Sequence, residues 1–224
     1  MTDTRHNQES IISRQKRSTN SSDMPINIPD ANDRQDRLIR EIPVIGWFIK
    51  AVLWAFFEFK QCFRTYVNLF PGNTGAIIRR VYYRPRFKHC GKNLLIDRGF
   101  RLTEPEKISI GDNFHANSGL YITSGGGVEI GDYVLIGPDV KIWSVNHNFE
   151  DPDEMILNQG WNYSKVVIED DVFIGAGSII LPGSEIGRGS VVSAGTVLSK
   201  KVPPFSIVAG NPGRIIGYRK REEK

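Results

Sequence analysis

Proton chemistry at neutral pH points first to histidine, whose imidazole titrates there. The chain has four: His6, His89, His115 and His147. His6 sits in a polar N-terminal stretch, His89 in a basic segment, and His115 directly after Phe114; each reads as a surface or structural residue. His147 differs, standing in Trp143-Ser144-Val145-Asn146-His147-Asn148-Phe149-Glu150, where a repeat pattern is interrupted. Glu150, Asp151, Asp153 and Glu154 follow it closely and offer orienting carboxylates, with a backbone carbonyl as the alternative; they also read as a solvated acidic loop. Other chemistries find less support. The spacing 89, 115, 147 does not follow the repeat and no second histidine lies near His147, so three histidines on one metal, as in a γ-type carbonic anhydrase, are not expected. Cys62 and Cys90 form neither a CxxC pair nor a disulfide framework, which favours a reduced compartment. There is no GxSxG motif. No metal is expected.

The elements that must position these residues are written in a ladder. From Ile168 an aliphatic residue returns every sixth position: Ile168, Ile174, Ile180, Ile186, Val192, Leu198. Two places before each stands a second residue: Val166, Val172, Ser178, Ser184, Ser190, Thr196. Ile130, Ile136 and Ile142, preceded by Val128, Val134 and Val140, obey the same rule upstream. A helix needs a period near 3.6 and a half-buried strand one near 2. Six is a multiple of two, so each unit is a short strand with its aliphatic residue inward, followed by a turn that Gly131, Gly137, Gly175 and Gly187 should ease. This hexapeptide signature belongs to short-period parallel β-helices.

The ladder has early, irregular coils over Leu95, Ile96, Leu102, Ile108, Ile110, Ala116 and Ile122, and a bulged corner at Ser124-Gly125-Gly126-Gly127. It stops at Ile142 and resumes at Ile168. One six-residue step accounts for part of that gap, so Trp143 to Lys165, within 143–167, is an inserted loop, expected to lack secondary structure and to be either functional or disordered. Lys200-Lys201-Val202-Pro203-Pro204 ends the ladder, Ile207-Val208-Ala209 forms a last strand, and the charged terminus from Tyr218 is a short helix or a solvated tail.

Outside the ladder, residues 1–42 are polar and read as a disordered tail. Residues 43–88 form an aromatic and basic helical segment. Trp47, Phe48, Trp54, Phe56, Phe57, Phe59, Phe63, Tyr66 and Phe70 crowd a helix beginning near Pro43, which Phe70-Pro71-Gly72 breaks before a second helical piece over Thr74–Tyr83. Lys50, Glu58 and Lys60 interrupt the apolar run, which disfavours a transmembrane span. Two readings remain: a helix lying at a bilayer surface, favoured by Arg79, Arg80, Arg84, Arg86 and Lys88, or a helix packed on the prism or on a neighbouring subunit.

The 224 residues carry a net charge of +4, but unevenly. Residues 43–107 hold twelve basic and four acidic side chains, net +8; residues 128–171 hold two and ten, net −8; residues 172–224 hold eight and three, net +5. The basic residues sit in no nucleic-acid reading motif, so no nucleic-acid partner is expected. The N-terminus has no apolar signal core, which gives the expectation of a cytoplasmic protein, peripheral at the inner face of the membrane if the helical segment touches it.

The ladder, the interrupting loop with its histidine, and the ending Lys200-Lys201-Val202-Pro203-Pro204-Phe205-Ser206-Ile207-Val208-Ala209-Gly210-Asn211-Pro212-Gly213-Arg214-Ile215-Ile216 together resemble the hexapeptide-repeat acyltransferases. Maltose, galactoside and nodulation-type O-acetyltransferases and those of polysaccharide synthesis are the most similar groups. The resemblance spans roughly residues 90–217. It implies an all-β fold, a left-handed parallel β-helix over residues 89–217 with the N-terminal helical extension before it and a charged tail, residues 218–224, after it. It further implies a homotrimer with sites between adjacent prisms, acetyl-CoA as acyl donor, and O-acetyl transfer to a sugar or glycan, in surface polysaccharide biosynthesis.

Carried over position by position, the resemblance makes His147 the general base. Asp139, in Gly137-Pro138-Asp139-Val140 where galactoside-type members have asparagine, and Asn146 fall to the acceptor. Asp139 is alternatively a partner of His147. Ala176 and Ala194 fall to the pantetheine arm, and Ser199, Lys200 and Arg214 to the nucleotide end, whose phosphates Lys and Arg neutralise. An N-acetyltransferase on an amino sugar, a serine O-acetyltransferase and a non-catalytic β-helix scaffold are the alternatives.

Overall fold

A computed structural model describes residues 45–219. The tail expected over residues 1–42 and the end of the chain beyond Arg219 lie outside the described residues. By contacts the chain divides into two compact units, Met1–Glu58 and Phe59–Lys224.

The six-residue period folds into three parallel sheets that share one core. The first sheet stacks His89–Cys90, Ile108–Ile110, Val128–Ile130, Val166–Ile168, Glu185–Ile186 and Lys201–Val202. The second stacks Leu95–Ile96, His115–Ala116, Leu135–Ile136, Phe173–Ile174, Val191–Val192 and Ser206–Ala209. The third stacks Arg101–Thr103, Tyr121–Thr123, Lys141–Trp143, Ile179–Ile180 and Val197–Leu198. Consecutive strands in the sequence belong to different sheets, so the chain winds through all three on each coil, as a left-handed parallel β-helix does.

Register turns the ladder into columns. Ile110, Ile130, Ile168, Ile186 and Val202 stand above one another in the first sheet. Ile122, Ile142, Ile180 and Leu198 do so in the third. All are buried, each contributing about 1.5–3 kcal/mol by leaving water. Except for Lys200 before Val202, the residues two places earlier are buried as well, including the hydroxyls. Ser178 Oγ donates to the Ser193 carbonyl (3.0 Å), Ser184 Oγ to Leu181 (2.7 Å), Ser190 Oγ to Pro203 (3.0 Å) and Thr196 Oγ1 to Ser193 (2.7 Å). Serine fits these inward places because corner carbonyls accept its proton, which removes the cost of burying it.

The glycines after the aliphatic residues serve a different purpose from the one the sequence suggests. None of Gly131, Gly137, Gly175 and Gly187 has a left-handed backbone. Instead a Cβ at each would strike the neighbouring coil: 2.8 Å from Asp170 N, 2.6 Å from Ala176 N, 2.5 Å from Ala194 N and 2.6 Å from Pro204 N. They permit close approach, not a turn. At the corner of Gly131 carboxylates also bind the coils together: Asp112 Oδ1 accepts from Lys92 N (2.6 Å), Asp132 Oδ1 from Asp112 N (2.6 Å) and Asp170 Oδ1 from Asp132 N (2.8 Å).

Two helices precede the prism: α1, Ile45–Leu69, and α2, Gly72–Tyr83. Phe70 and Pro71 separate them, Pro71 extended at φ −80°, ψ 165°. α2 is fastened to the first coil by buried Arg79, whose Nε donates to the Ile96 carbonyl (2.8 Å) and whose Nη1 donates to those of Val67 (3.2 Å) and Phe70 (2.7 Å). Tyr83, stacked edge-on against Phe100, adds an aromatic seam. At the other end Arg214–Tyr218 is a strand antiparallel to Ser206–Ala209, so the chain up to Tyr218 closes the second sheet instead of leaving it as a helix or tail.

A Gly175→Ala chain is expected to lose about 1–3 kcal/mol of stability through overpacking, read as a lower urea midpoint. Gly217→Ala, where a Cβ meets nothing within 4 Å, should keep the native midpoint.

Candidate functional site

The insertion leaves the prism at the corner between the third and first sheets. It is not an irregular loop: Val145–His147 pairs antiparallel with Trp161–Tyr163, and a 3-10 turn covers Ile156–Asn158. Short-range hydrogen bonds compensate for the missing repeat. Gln159 Nε2 donates to the carbonyls of Asp151 (2.8 Å) and Glu154 (2.9 Å), its Oε1 accepts from Asp151 N (3.1 Å), and Asn148 Nδ2 reaches the Gln159 carbonyl (2.9 Å). The base is fixed to the corner by Ser144, whose Oγ accepts from Gly126 N (3.0 Å) and donates to the Thr123 carbonyl (3.0 Å).

Within this hairpin His147 lies opposite Trp161, and the two rings stack with centroids 3.7 Å apart and planes at 33°. The indole fixes the imidazole plane while leaving the residue partly open to solvent. The preceding side chain turns back, Asn146 Oδ1 accepting from the His147 backbone N–H at 3.0 Å, which leaves its amide donors for another partner. His147 faces a cleft of about 260 Å³ lined also by Asn146, Glu150, Ser164, Pro182 and Ser199. Two separate stretches are thus brought together, Asn146 with His147 and, from further along the chain, Ser199. Of the four carboxylates considered as partners, Glu150 shares the cleft, whereas Asp151 Oδ1 accepts from Asp153 N (2.9 Å) in a turn.

The remaining sequence-derived residues lie elsewhere. Asp139, Ala176 and Ala194 stack along the corner between the second and third sheets. Gly177 N donates to the Pro138 carbonyl and Gly195 N to that of Ala176, both at 2.8 Å. Arg214 follows at the end of this corner, where Gly213 N donates to the Val197 carbonyl (2.8 Å). Asp139 is left-handed at φ 57°, and its carboxylate lies against Gly119. Strand Lys141–Trp143 separates it from the hairpin, so it does not orient the His147 of its own chain. Ala176 and Ala194 are exposed and small, and the space beside Gly177 and Gly195 is open, so no bulky side chain obstructs this corner. Ion pairs engage Lys165 with Glu129, Lys201 with Glu185 and Arg219 with Asp171, while Lys200 and Arg214 are exposed outside these pairs. Among the described residues no group of three or more His, Cys, Asp or Glu could hold a metal ion.

Trp161 and Ser164 were not singled out by the sequence reading. The signal was present: Gly160, left-handed at φ 80°, followed by Trp-Asn-Tyr, is a strand entry that pairs with Val-Asn-His.

Residues 165–200 match the bacterial transferase hexapeptide (six repeats) family. The chain is 34% identical over 139 residues to the galactoside O-acetyltransferase of Escherichia coli strain K12, covering 62% of this chain and 67% of that one. Among solved structures, a galactoside acetyltransferase in complex with coenzyme A is 31% identical, with a TM-score of 0.63 over 68% of this chain and 75% of that one. A maltose O-acetyltransferase from Clostridium difficile 630 is also 31% identical, with a TM-score of 0.62 over 72% and 86%. With the coils, the corner glycines and the hairpin that interrupts them, these likenesses place the chain in the hexapeptide-repeat acyltransferase family.

Proposed function

We propose that the protein transfers the acetyl group of acetyl-CoA to a hydroxyl of a sugar or glycan, with His147 as general base. The observation that carries this reading is the convergence of Asn146, stacked His147 and Ser199 on one cleft. Acetyl-CoA supplies the thioester carbonyl and a thiolate leaving group. The residues fit such a donor: exposed Ala176 and Ala194 put no bulky side chain in the way of a pantetheine arm, and exposed Lys200 and Arg214 suit its phosphates, while Ser199 lies in the His147 cleft.

In this mechanism His147 accepts the proton of the acceptor hydroxyl as its oxygen attacks the carbonyl carbon. The carbon–sulfur bond breaks, and the same imidazole returns the proton to the sulfur, giving the ester and free thiol. Trp161 keeps the ring in one plane through both transfers, Asn146 Nδ2 donates to an acceptor oxygen, and Asp139 accepts from acceptor hydroxyls. The acetyl group goes directly from sulfur to oxygen. The acceptor class suits a place in surface polysaccharide synthesis, and the neighbouring genes would test that assignment.

The reading includes a homotrimer with each site shared by two copies. Two features support it. His147 lies at one corner of the prism, and Asp139, Ala176 and Ala194 at another. In addition, Leu135 and Phe173 on the second sheet, with Phe149, Leu157, Trp161 and Tyr163 on the insertion, expose apolar surface that a second copy would cover.

His147→Ala should lower turnover about 10²–10⁴-fold, measured by thiol release, while acetyl-CoA still binds; near-native turnover would refute the base. Asp139→Asn should change the KM for the sugar and leave that for acetyl-CoA in place. Phe173→Glu should shift the sedimenting species from trimer to monomer and remove activity with it; an unchanged trimer would refute this interface.

A further inference from the structure

The helical preface plays no part in acyl transfer as described, yet it displays unusual surface. Phe59, Phe63, Tyr66 and Leu69 on α1 and Ile77 and Val81 on α2 are all exposed, Tyr66 by 74%. Where the helices part, Thr65, Tyr66, Leu69, Phe70 and Pro71 line an almost wholly apolar cleft of about 270 Å³. At the C-terminal end of α2 a wider cleft of about 540 Å³ is lined by Arg80, Arg84, Lys88, His89 and Cys90. Burial pushes the Cys90 thiol up from its ordinary value, so it stays neutral and subtracts nothing from the positive charge there. Residues 59–88 contain seven basic and no acidic side chains. Among the described residues no helix is long and apolar enough to cross a membrane.

We infer that this preface docks the enzyme on an anionic lipid bilayer. Tyr66, Leu69 and Phe70 enter the interface around the apolar cleft, and Arg84 and Lys88 meet lipid phosphates at the basic one. Aromatic side chains settle at the headgroup level, and each Lys or Arg near an anionic leaflet adds attraction that salt weakens. Charge decides against a second copy as the occupant. Two such surfaces would bring together like charges without a single carboxylate from residues 59–88 between them. Arg79 is not part of this surface: its guanidinium is buried on backbone carbonyls, so it stiffens the platform that presents the others.

The test uses the full chain in a vesicle sedimentation assay, with pure phosphatidylcholine and with a phosphatidylcholine–phosphatidylglycerol mixture. The native protein should pellet with the mixture, far less with the neutral vesicles, and should be released by high salt. The double variant Arg84→Gln, Lys88→Gln should partition about 30-fold less into the mixture. Tyr66→Ser with Leu69→Ser should lose binding at low salt too, and both variants should keep the native thermal midpoint. Equal pelleting with both vesicle types, or with neither, overturns the inference, as does native-like partition by both variants. A fall in oligomeric mass of the Tyr66→Ser, Leu69→Ser protein without any vesicle binding overturns it in favour of a subunit contact. Turnover on a soluble sugar, measured alongside, keeps this result separate from the acyl-transfer reading.

Discussion

Coil-to-coil contact is the constraint on which the rest of the structure depends. Each coil donates backbone N–H groups to the carbonyls of the next, and at the glycine corners two backbones come so close that a single methyl would part them. That proximity fixes the rise of the prism, hence the register of the buried columns. Because Ile142 pairs with Ile180 and Ile130 with Ile168, the coils on both sides of the insertion remain in step although the chain between them leaves the ladder. A rigid frame so defined can hold an irregular element without being distorted by it.

The hairpin uses that frame. Its base is tied to the corner through Ser144 and its tip is organised by Gln159, so His147 is held by structure on both sides. The stack on Trp161 then restricts the one remaining freedom, rotation of the imidazole. An imidazole held in this way would, in the proposed role of base, lose little entropy when an acceptor arrives, the condition for efficient proton transfer within an assembled complex. Charge follows the same division of labour. The acidic stretch 128–171 contains the hairpin, and the basic stretch 172–224 contains Lys200 and Arg214, suited to phosphate.

The stacked coils were legible because the ladder calls for short strands with one inward residue each: Ile168 through Leu198 are inward and stacked as their spacing requires. The hand of the winding came with the resemblance. His147 was legible as the histidine at the break. Other features were not. The purpose of Gly175 depends on the backbone of Ala194, nineteen residues away, which local sequence does not reveal. The hairpin was hidden because three-residue strands carry almost no alternation, and Trp161 is fourteen residues from the histidine it supports. Tyr218 reads as the start of a charged tail, yet it ends the strand Arg214–Tyr218, to which Ser206–Ala209 offers antiparallel hydrogen bonds that override local composition. The separation of Asp139, Ala176 and Ala194 from His147 onto another corner follows only from the winding.

That separation makes subunit mixing the most direct measurement of the central claim, the proposal of a site built from the hairpin of one copy and another copy's corner at Ala176 and Ala194. His147→Ala disables the first corner and Ala194→Trp obstructs the second. Neither protein alone should turn over. Unfolded together in equal amounts and refolded, they should recover about a quarter of native turnover, the share of sites that draw an intact corner from each. A mixture as inactive as its parts would contradict the shared site and return both corners to a single chain.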